Sequence, residues 1–448
     1  MLAPNEIYNS YESGEISSQE ALTLLKNYIE NSNDDRKRAN SLEIIEKLPI
    51  SDKPLYYKLI ETSLVSDDSE LVRATAAKTI LNIFGNKAEK TVKYAIQHDK
   101  TVFFFKELLE YLKKEENTDF TEIKSMLQRK IEMSYDVEFT DARFLLDVDY
   151  QNYVNILSYL RKKYDPAQFN KEKEFYVKEY VQMGHYKRKW KRRVFSAKSG
   201  HIVKLTLWNV DTIPLSILSL PKLKDLALIK CNIKEFPKEF DKFSSLRKLR
   251  LSQCNIKQIP DWVLQIASKP RYTLRYLRNG VDPNEAPILG LLQILINGNP
   301  LKKEDLGSGL GDTGYDQRSY WIDNEGHVNK LFFESQEIFN FGIIPSQLCN
   351  LEHLQYLNFV NLWVTSLPEC LSKLKNLRVI NLNYTVVETF PTWLKKLENL
   401  EQVSFCIPEE AQLSDYTQYL SDDFEFKTNE TAELGGFLYQ IVGAKRKN

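Results

Sequence analysis

Residues 231–237 read CNIKEFP, and 23 residues further on, 254–260 read CNIKQIP. Two thiols in matching heptapeptides are the first place to look for chemistry, as half of a zinc site or as a redox pair. A closed zinc site needs four ligands, and no other cysteine or histidine falls in register with Cys231 and Cys254. Both are therefore expected to be buried turn residues that act as small hydrophobes. Gly309, Gly311 and Gly314 form a literal G-x-G-x-x-G, and Asp312–Gly314 a literal D-T-G. A dinucleotide loop needs a strand before it and a helix after it, and the flanks KKED and YDQRSY predict neither. An aspartic protease needs apolar strand residues around D-T-G and a second carboxylate, so 306–317 is expected to be loop. Cys349 and His353 are four apart, but Cys349 precedes a repeated leucine and is expected in the core. The motifs G-x-x-x-x-G-K-[ST], H-E-x-x-H, G-x-S-x-G and C-x-x-C do not occur, and the five histidines are dispersed. No catalytic residue, metal ligand or cofactor is assigned, and the chain is expected not to be an enzyme, an unrecognised one being an alternative.

The densest charge run is HYKRKWKRR, 185–193. Lys187, Arg188, Lys189, Trp190, Lys191, Arg192 and Arg193 form a candidate anion-binding stretch in which the indole would stack on a base. The competing and preferred reading is a strand edge whose cations discourage association with another sheet. Lys+Arg and Asp+Glu balance at 61 each, so no bulk field attracts nucleic acid or an anionic membrane. At 42% apolar and 27% charged, the composition is that of a soluble globular protein. The opening segment has no apolar core of the signal-peptide kind, and PILGLLQILI (287–296) is too short to span a bilayer. Five scattered cysteines do not suggest a disulfide framework, so a cytoplasmic location is expected.

The elements that would position these residues come from a repeat. Pro214, Pro237 and Pro260 are spaced by 23, as are Pro345, Pro368 and Pro391. Upstream of four of them lies L-x-x-L-x-L or a close relative: LKDLAL (223–228), LRKLRL (246–251), LQYLNF (354–359) and LRVINL (377–382), with LEQVSF (400–405) a degenerate last copy. Alternating apolar residues put a short strand's leucines on one face. Proline suits the start of the returning turn, where its missing N–H loses nothing. One copy cannot bury its leucines, so neighbours must stack.

This pattern resembles the leucine-rich repeat family, and its length and proline ending are similar to the plant intracellular Ras-group and Ras-scaffold type. The resemblance implies an α/β repeat protein, a solenoid whose concave face binds a protein partner, with a small GTPase or its regulator among the partners suggested. It covers about 203–262 and 328–408. Cys231 and Cys254 take the place of the family's Asn or Cys. Val210, Gln336, Leu362 and Thr385 stand there in other copies, a degraded polar ladder. RRVFSAKSGHIVKLTL (192–207) and RSYWIDNEGHVNKLFF (318–333) share Gly-His after an aromatic-bearing strand, so each array is expected to open with a hairpin turning at Gly200 or Gly326.

The N-terminal third has helical spacing instead. DDRKRANSLEIIEKL (34–48) and DDSELVRATAAKTILNIF (67–84) align through Arg38–Ala39 and Arg73–Ala74, 35 residues apart. This resembles HEAT repeats, whose V-R-x-x-A-x-x-A/L signature is best approached at Val72, Arg73, Ala74, Ala77 and Ile80. The fold expected is thus a leucine-rich repeat solenoid in two arrays joined to an all-α HEAT-like domain. The divisions expected are 1–116 helical repeats, 117–185 helical linker, 186–262 array one, 263–317 a helical and loop insertion, 318–408 array two, and 409–448 a cap or tail. The function expected is a protein–protein interaction scaffold without cofactors, with nucleic-acid or anion binding through 187–193 as an alternative. The outward strand positions are the contact candidates: Lys224, Lys230, Arg247, Lys248 and Arg250 in array one, a basic strip, and Tyr356, Asn358, Asn361, Arg378, Asn381, Asn383 and Tyr384 in array two, a neutral one.

Overall fold

Helical spacing in the N-terminal third and strand spacing after residue 200 separate into two units in the computed structural model, Met1–Arg193 with Ala197–Ile202, and Val194–Ser196 with Val203–Asn448. The structure describes residues 2–50, 52–114, 119–163, 195–304, 318–385, 391–408 and 420–447, apart from 209, 234, 244, 253, 255, 257, 258, 297, 421–423, 435 and 436.

The first unit carries nine helices among its described residues: α1 (Pro4–Glu12), α2 (Ser18–Asn31), α3 (Asp35–Ile45), α4 (Lys53–Ser66), α5 (Glu70–Phe84), α6 (Glu89–His98), α7 (Val102–Leu112), α8 (Thr121–Tyr135) and α9 (Phe139–Lys163). Caps set several starts. Ser17 and Glu20 form a reciprocal capping box on α2, and the Asp34 carboxylate accepts from two amides at the start of α3. Ala74, Ala76 and Ala77 are buried on α5, where small side chains let α3, α4 and α7 approach. The arginines that align in sequence do the same work. Arg38 forks onto Asp67, just past α4, and donates to the Ser32 carbonyl. Arg73 binds Asp99, just past α6, at 2.7 Å and donates to the Asp67 carbonyl. Each guanidinium thus ties its helix to the C-terminal end of the next helix with planar, charge-assisted bonds.

The second unit is strand-rich. A four-stranded sheet has the order β1 (Phe195–Lys198), β2 (His201–Trp208), β3 (Asp225–Ile229), β4 (Lys248–Ser252). An eight-stranded sheet comprises β5 (Lys302–Lys303), β6 (Arg318–Ile322), β7 (Val328–Ile343), β8 (Tyr356–Ser366), β9 (Val379–Asn381), β10 (Gln402–Pro408), β11 (Phe424–Leu434) and β12 (Phe437–Arg446), in the order 11-12-10-9-8-7-6-5. Pairing is parallel from β2 to β4 and from β7 to β10, and antiparallel in the flanking hairpins. Leu205, Leu226 and Leu249 stand side by side in register, as do Leu331, Leu357 and Ile380. With their partners two residues on, they are no more than 2% exposed. Turns of 3-10 helix follow Pro214, Pro237, Pro345 and Pro368 at once, and α10 (Asp261–Ala267) follows Pro260.

The edges are closed by different means. Beyond β4 lies α11 (Pro270–Arg278), one of the two helices expected after residue 263, followed by α12 (Ala286–Leu295). The buried Tyr272 hydroxyl accepts from the Leu249 amide and donates to the Leu249 carbonyl, both at 2.8 Å, so one side chain satisfies an edge residue that has no further strand. At the other end β12 pairs along all of β10, with Ile441 opposite Cys406.

The two Gly-His segments are held by one device used twice. After α8, Asp136 takes a left-handed φ of 59°, Val137 is buried, and Asp141 opens α9; after α11, Gly280 takes 84°, Val281 is buried, and Glu285 precedes α12. In the first unit the Glu138 amide donates to the Gly200 carbonyl, and Asp141 accepts from the Ile202 amide at 2.5 Å and from His201 Nδ1 at 3.3 Å. In the second, the Asp282 amide donates to the Gly326 carbonyl, and Glu285 accepts from the Val328 amide at 2.6 Å and from His327 Nδ1 at 3.1 Å. A Cβ on Gly326 would lie 2.4 Å from the Gly280 carbonyl oxygen, so glycine is required here by contact as well as by φ. Burial pushes the Glu285 carboxyl up, against the pull of the Val328 amide and His327. Removing the acceptor leaves a buried amide unpaired, at about 1–3 kcal/mol. Glu285→Ala is expected to lower the thermal melt accordingly and to speed hydrogen exchange at the Val328 amide; an unchanged melt and unchanged exchange would make the clamp incidental.

Candidate interaction surface

Because side chains alternate along a strand, the residues between the buried leucines share the opposite face. In β2–β4 that face has three rows across the sheet: Lys204, Asp225 and Lys248; Thr206, Ala227 and Arg250; Trp208, Ile229 and Ser252. Of the basic strip expected in array one, Lys248 and Arg250 lie on it. Lys224 and Arg247 sit at the turns leading into β3 and β4, and Lys230 follows β3. Arg271, on α11 next to Tyr272, was missed from sequence because it lies outside the repeat, and it joins the same field. Burial lowers the Lys248 ammonium first, and Arg250, Arg271 and Lys204 lower it further, with Asp225 opposing.

The rows of the corresponding face of β7–β10 carry one cation, Lys330, and otherwise uncharged residues. They are Lys330, Tyr356, Val379 and Gln402, then Phe332, Asn358, Asn381 and Ser404. Lys330 Nζ stands 4.6 Å from the Tyr356 ring centre, and Arg378 is paired with Glu401 at 2.7 Å. The Asn381 side chain accepts from the Asn383 amide, whereas the buried Oδ1 atoms of Asn358 and Asn383 make no hydrogen bond among the described residues. Lys230 and Tyr384 occupy equivalent positions, four residues past Leu226 and Ile380, and both have left-handed backbones, φ 55° and 57°. Non-glycine residues are uncommon there, and both side chains are exposed. Asn361 lies in β8, and its side chain is outside the described residues, as are all of 187–193 and the glycines of 306–317.

The cysteines divide in a way only partly expected. Cys231 and Cys254 are buried, their thiols donating to the carbonyls of Ile229 and Leu228 at 3.4 and 3.3 Å. The Cys231 thiol beside it, and then burial, push the Cys254 thiol far above its usual range. Burial likewise raises Cys406. Cys349 and Cys370 correct the expectation of scattered, unpaired thiols: they form a disulfide with Cα atoms 5.8 Å apart. They sit in the 3-10 turns Ser346–Asn350 and Glu369–Lys373, whose leading prolines are one repeat apart, so stacking of the turns brings the two together. Among the described residues no three His, Cys, Asp or Glu gather into a group that could hold a metal, and no helix is long and apolar enough to cross a membrane.

No family model and no curated protein matches the chain. Among solved structures, a leucine-rich repeat (LRR) protein of Leptospira interrogans is similar to it at 16% identity with a TM-score of 0.17. That match covers 44% of this chain and 53% of the other, about half the neighbour's length.

Thiol counting checks the cysteine assignment. The three cysteines outside the disulfide are buried, so the native protein is expected to react slowly with a thiol reagent, the unreduced denatured protein to titrate three thiols, and the reduced denatured protein all five. Five thiols without reductant would contradict the disulfide.

Proposed function

We propose that the chain is a non-enzymatic interaction scaffold, two leucine-rich repeat arrays joined to HEAT-like helical repeats, which takes a protein partner on the outward faces of its parallel strands. The observation that carries this reading is the state of polar groups on those faces. Asn358 in β8 and Asn383 just past β9 each carry a buried carbonyl oxygen with no hydrogen bond among the described residues. An acceptor left unpaired in a buried place costs about 1–3 kcal/mol, so a turn of the asparagine side chain that brings the oxygen to a partner's N–H on docking recovers that cost. Phe332 in register with Asn358 and Tyr356 two residues before it supply apolar area beside that acceptor, the mixture that interface centres favour. The suggestion of a small GTPase or its regulator rests on the resemblance of the repeats alone.

Affinity capture from native lysate, with protein identified by mass spectrometry, tests the reading when run beside a Tyr356→Ala, Asn358→Ala double variant of unchanged melt. A protein retained in near-stoichiometric amount by the parent chain and lost from the variant is expected. Capture of nothing, or of the same set by both, would count against it.

A further inference from the structure

The cations of the first sheet lack the carboxylate partners that five cations of the helical unit have. In the helical unit Arg38, Arg73, Lys78, Lys93 and Lys106 are all in ion pairs. The side chains of Lys204, Lys248 and Arg250 on the outward face of β2–β4, and of Arg271 on α11 close enough to act on Lys248, have no ion pair or hydrogen bond among the described residues, and Asp225 is the one carboxylate in the row of Lys204 and Lys248. The arrangement is built by the fold. Register fixes Lys204 and Lys248 on either side of Asp225, and Arg250 lies two residues along the strand from Lys248. Tyr272, bonded to both the amide and the carbonyl of Leu249, sets the neighbouring Arg271 beside the same edge. Arg250 is further positioned by Gly298, where a Cβ would meet its Cγ at 2.7 Å, so the guanidinium stem lies against bare backbone.

Four cations around one carboxylate repel one another; burial lowers the Lys248 ammonium most, and Arg250, Arg271 and Lys204 add to it. An anionic partner relieves that repulsion. The far end of the same three strands is apolar: Trp208, 37% exposed, stands next to Ile229. Strands about 4.8 Å apart give the cationic rows a width of roughly 10 Å, and an extended peptide repeats its side chains on one face about every 6.6 Å. The patch thus matches a few residues of extended chain and is too short to track a nucleic-acid backbone, for which a longer basic groove is the usual device.

Resting on the scaffold reading above, we propose that this face binds an acidic, extended segment of the partner protein, with carboxylates on Lys204, Lys248, Arg250 and Arg271 and an apolar side chain against Trp208 and Ile229. Encounter is accelerated by the field of the patch and weakened by salt.

Fluorescence anisotropy tests this with three labelled probes: a peptide of alternating glutamate and valine, its counterpart with lysine for glutamate, and an oligodeoxythymidylate. The full-length chain is expected to bind the glutamate peptide and not the lysine peptide. Binding should weaken by about tenfold or more in a Lys248→Glu, Arg250→Glu variant of unchanged melt, and to a smaller degree in Lys248→Gln, Arg250→Gln. Tyr356→Ala with Asn358→Ala should leave it unchanged. No binding of the glutamate peptide, or binding indifferent to the reversal, overturns the assignment, and tighter binding of the oligonucleotide transfers the face to nucleic acid. A partner captured from lysate whose retention survives the reversal would leave the scaffold reading standing while this one falls.

Discussion

A strand of five residues with two leucines on one face cannot bury them by itself. That constraint organises the second unit. Leu226 and Leu228 are buried because Leu205, Leu207, Leu249 and Leu251 lie alongside in register, and each contributes about 1.5–3 kcal/mol only if its neighbours do the same. The prolines 23 residues apart mark where each strand's chain turns back, so that the next strand starts in the same register. Displacing one strand by a residue would turn its leucines outward and its lysines and arginines inward. The outward polar strip therefore exists only because the inward ladder holds its register.

The constraint also explains the effort spent at the ends. A last strand has unpaired amides and half-covered leucines, and three different solutions appear. The β1–β2 hairpin edges the four-stranded sheet, Tyr272 stands in for a strand beyond β4, and the β11–β12 hairpin closes β10 of the eight-stranded sheet. The buried carboxylates of Asp141 and Glu285 hold the glycine-histidine segments at which the two opening hairpins turn. Those two segments sit in stretches of sequence that otherwise look unrelated, 117–185 and 263–317 with their following strands. Their shared helix, left-handed turn, buried valine and carboxylate make them two copies of one local design.

Much of this was legible in the chain. The strand positions, the proline turns, the positive φ of Gly200 and Gly326, the two short helices after 263 and the equivalence of Arg38 with Arg73 all follow from short-range periodicity. What escaped has a common cause. Asp141 meets Ile202 across 61 residues and Glu285 meets Val328 across 43, intervals that repeat in neither sequence nor structure. Cys349 and Cys370 are 21 apart in a region whose period is 23, so they fall at different places in their repeats and carry no pattern of their own. Arg271 joins the basic strip from a helix, and no strand alternation could place it there. The contact face was legible where it lies on strands and hidden where tertiary packing completes it.

Whether the inward ladder governs the unit is open to one direct measurement. Leu249 is fully buried between Leu226 and the Tyr272 hydroxyl that bonds its backbone. Leu249→Asp would place an unpaired carboxylate among leucines, a change expected to cost several kcal/mol. Thermal melting followed by circular dichroism should show the strand-rich unit unfolded or its transition shifted down by many degrees, with the helical signal retained. A variant that melts as the parent does, with an unchanged spectrum, would mean that the leucines do not face inward as a ladder and that the outward strip is misassigned with them.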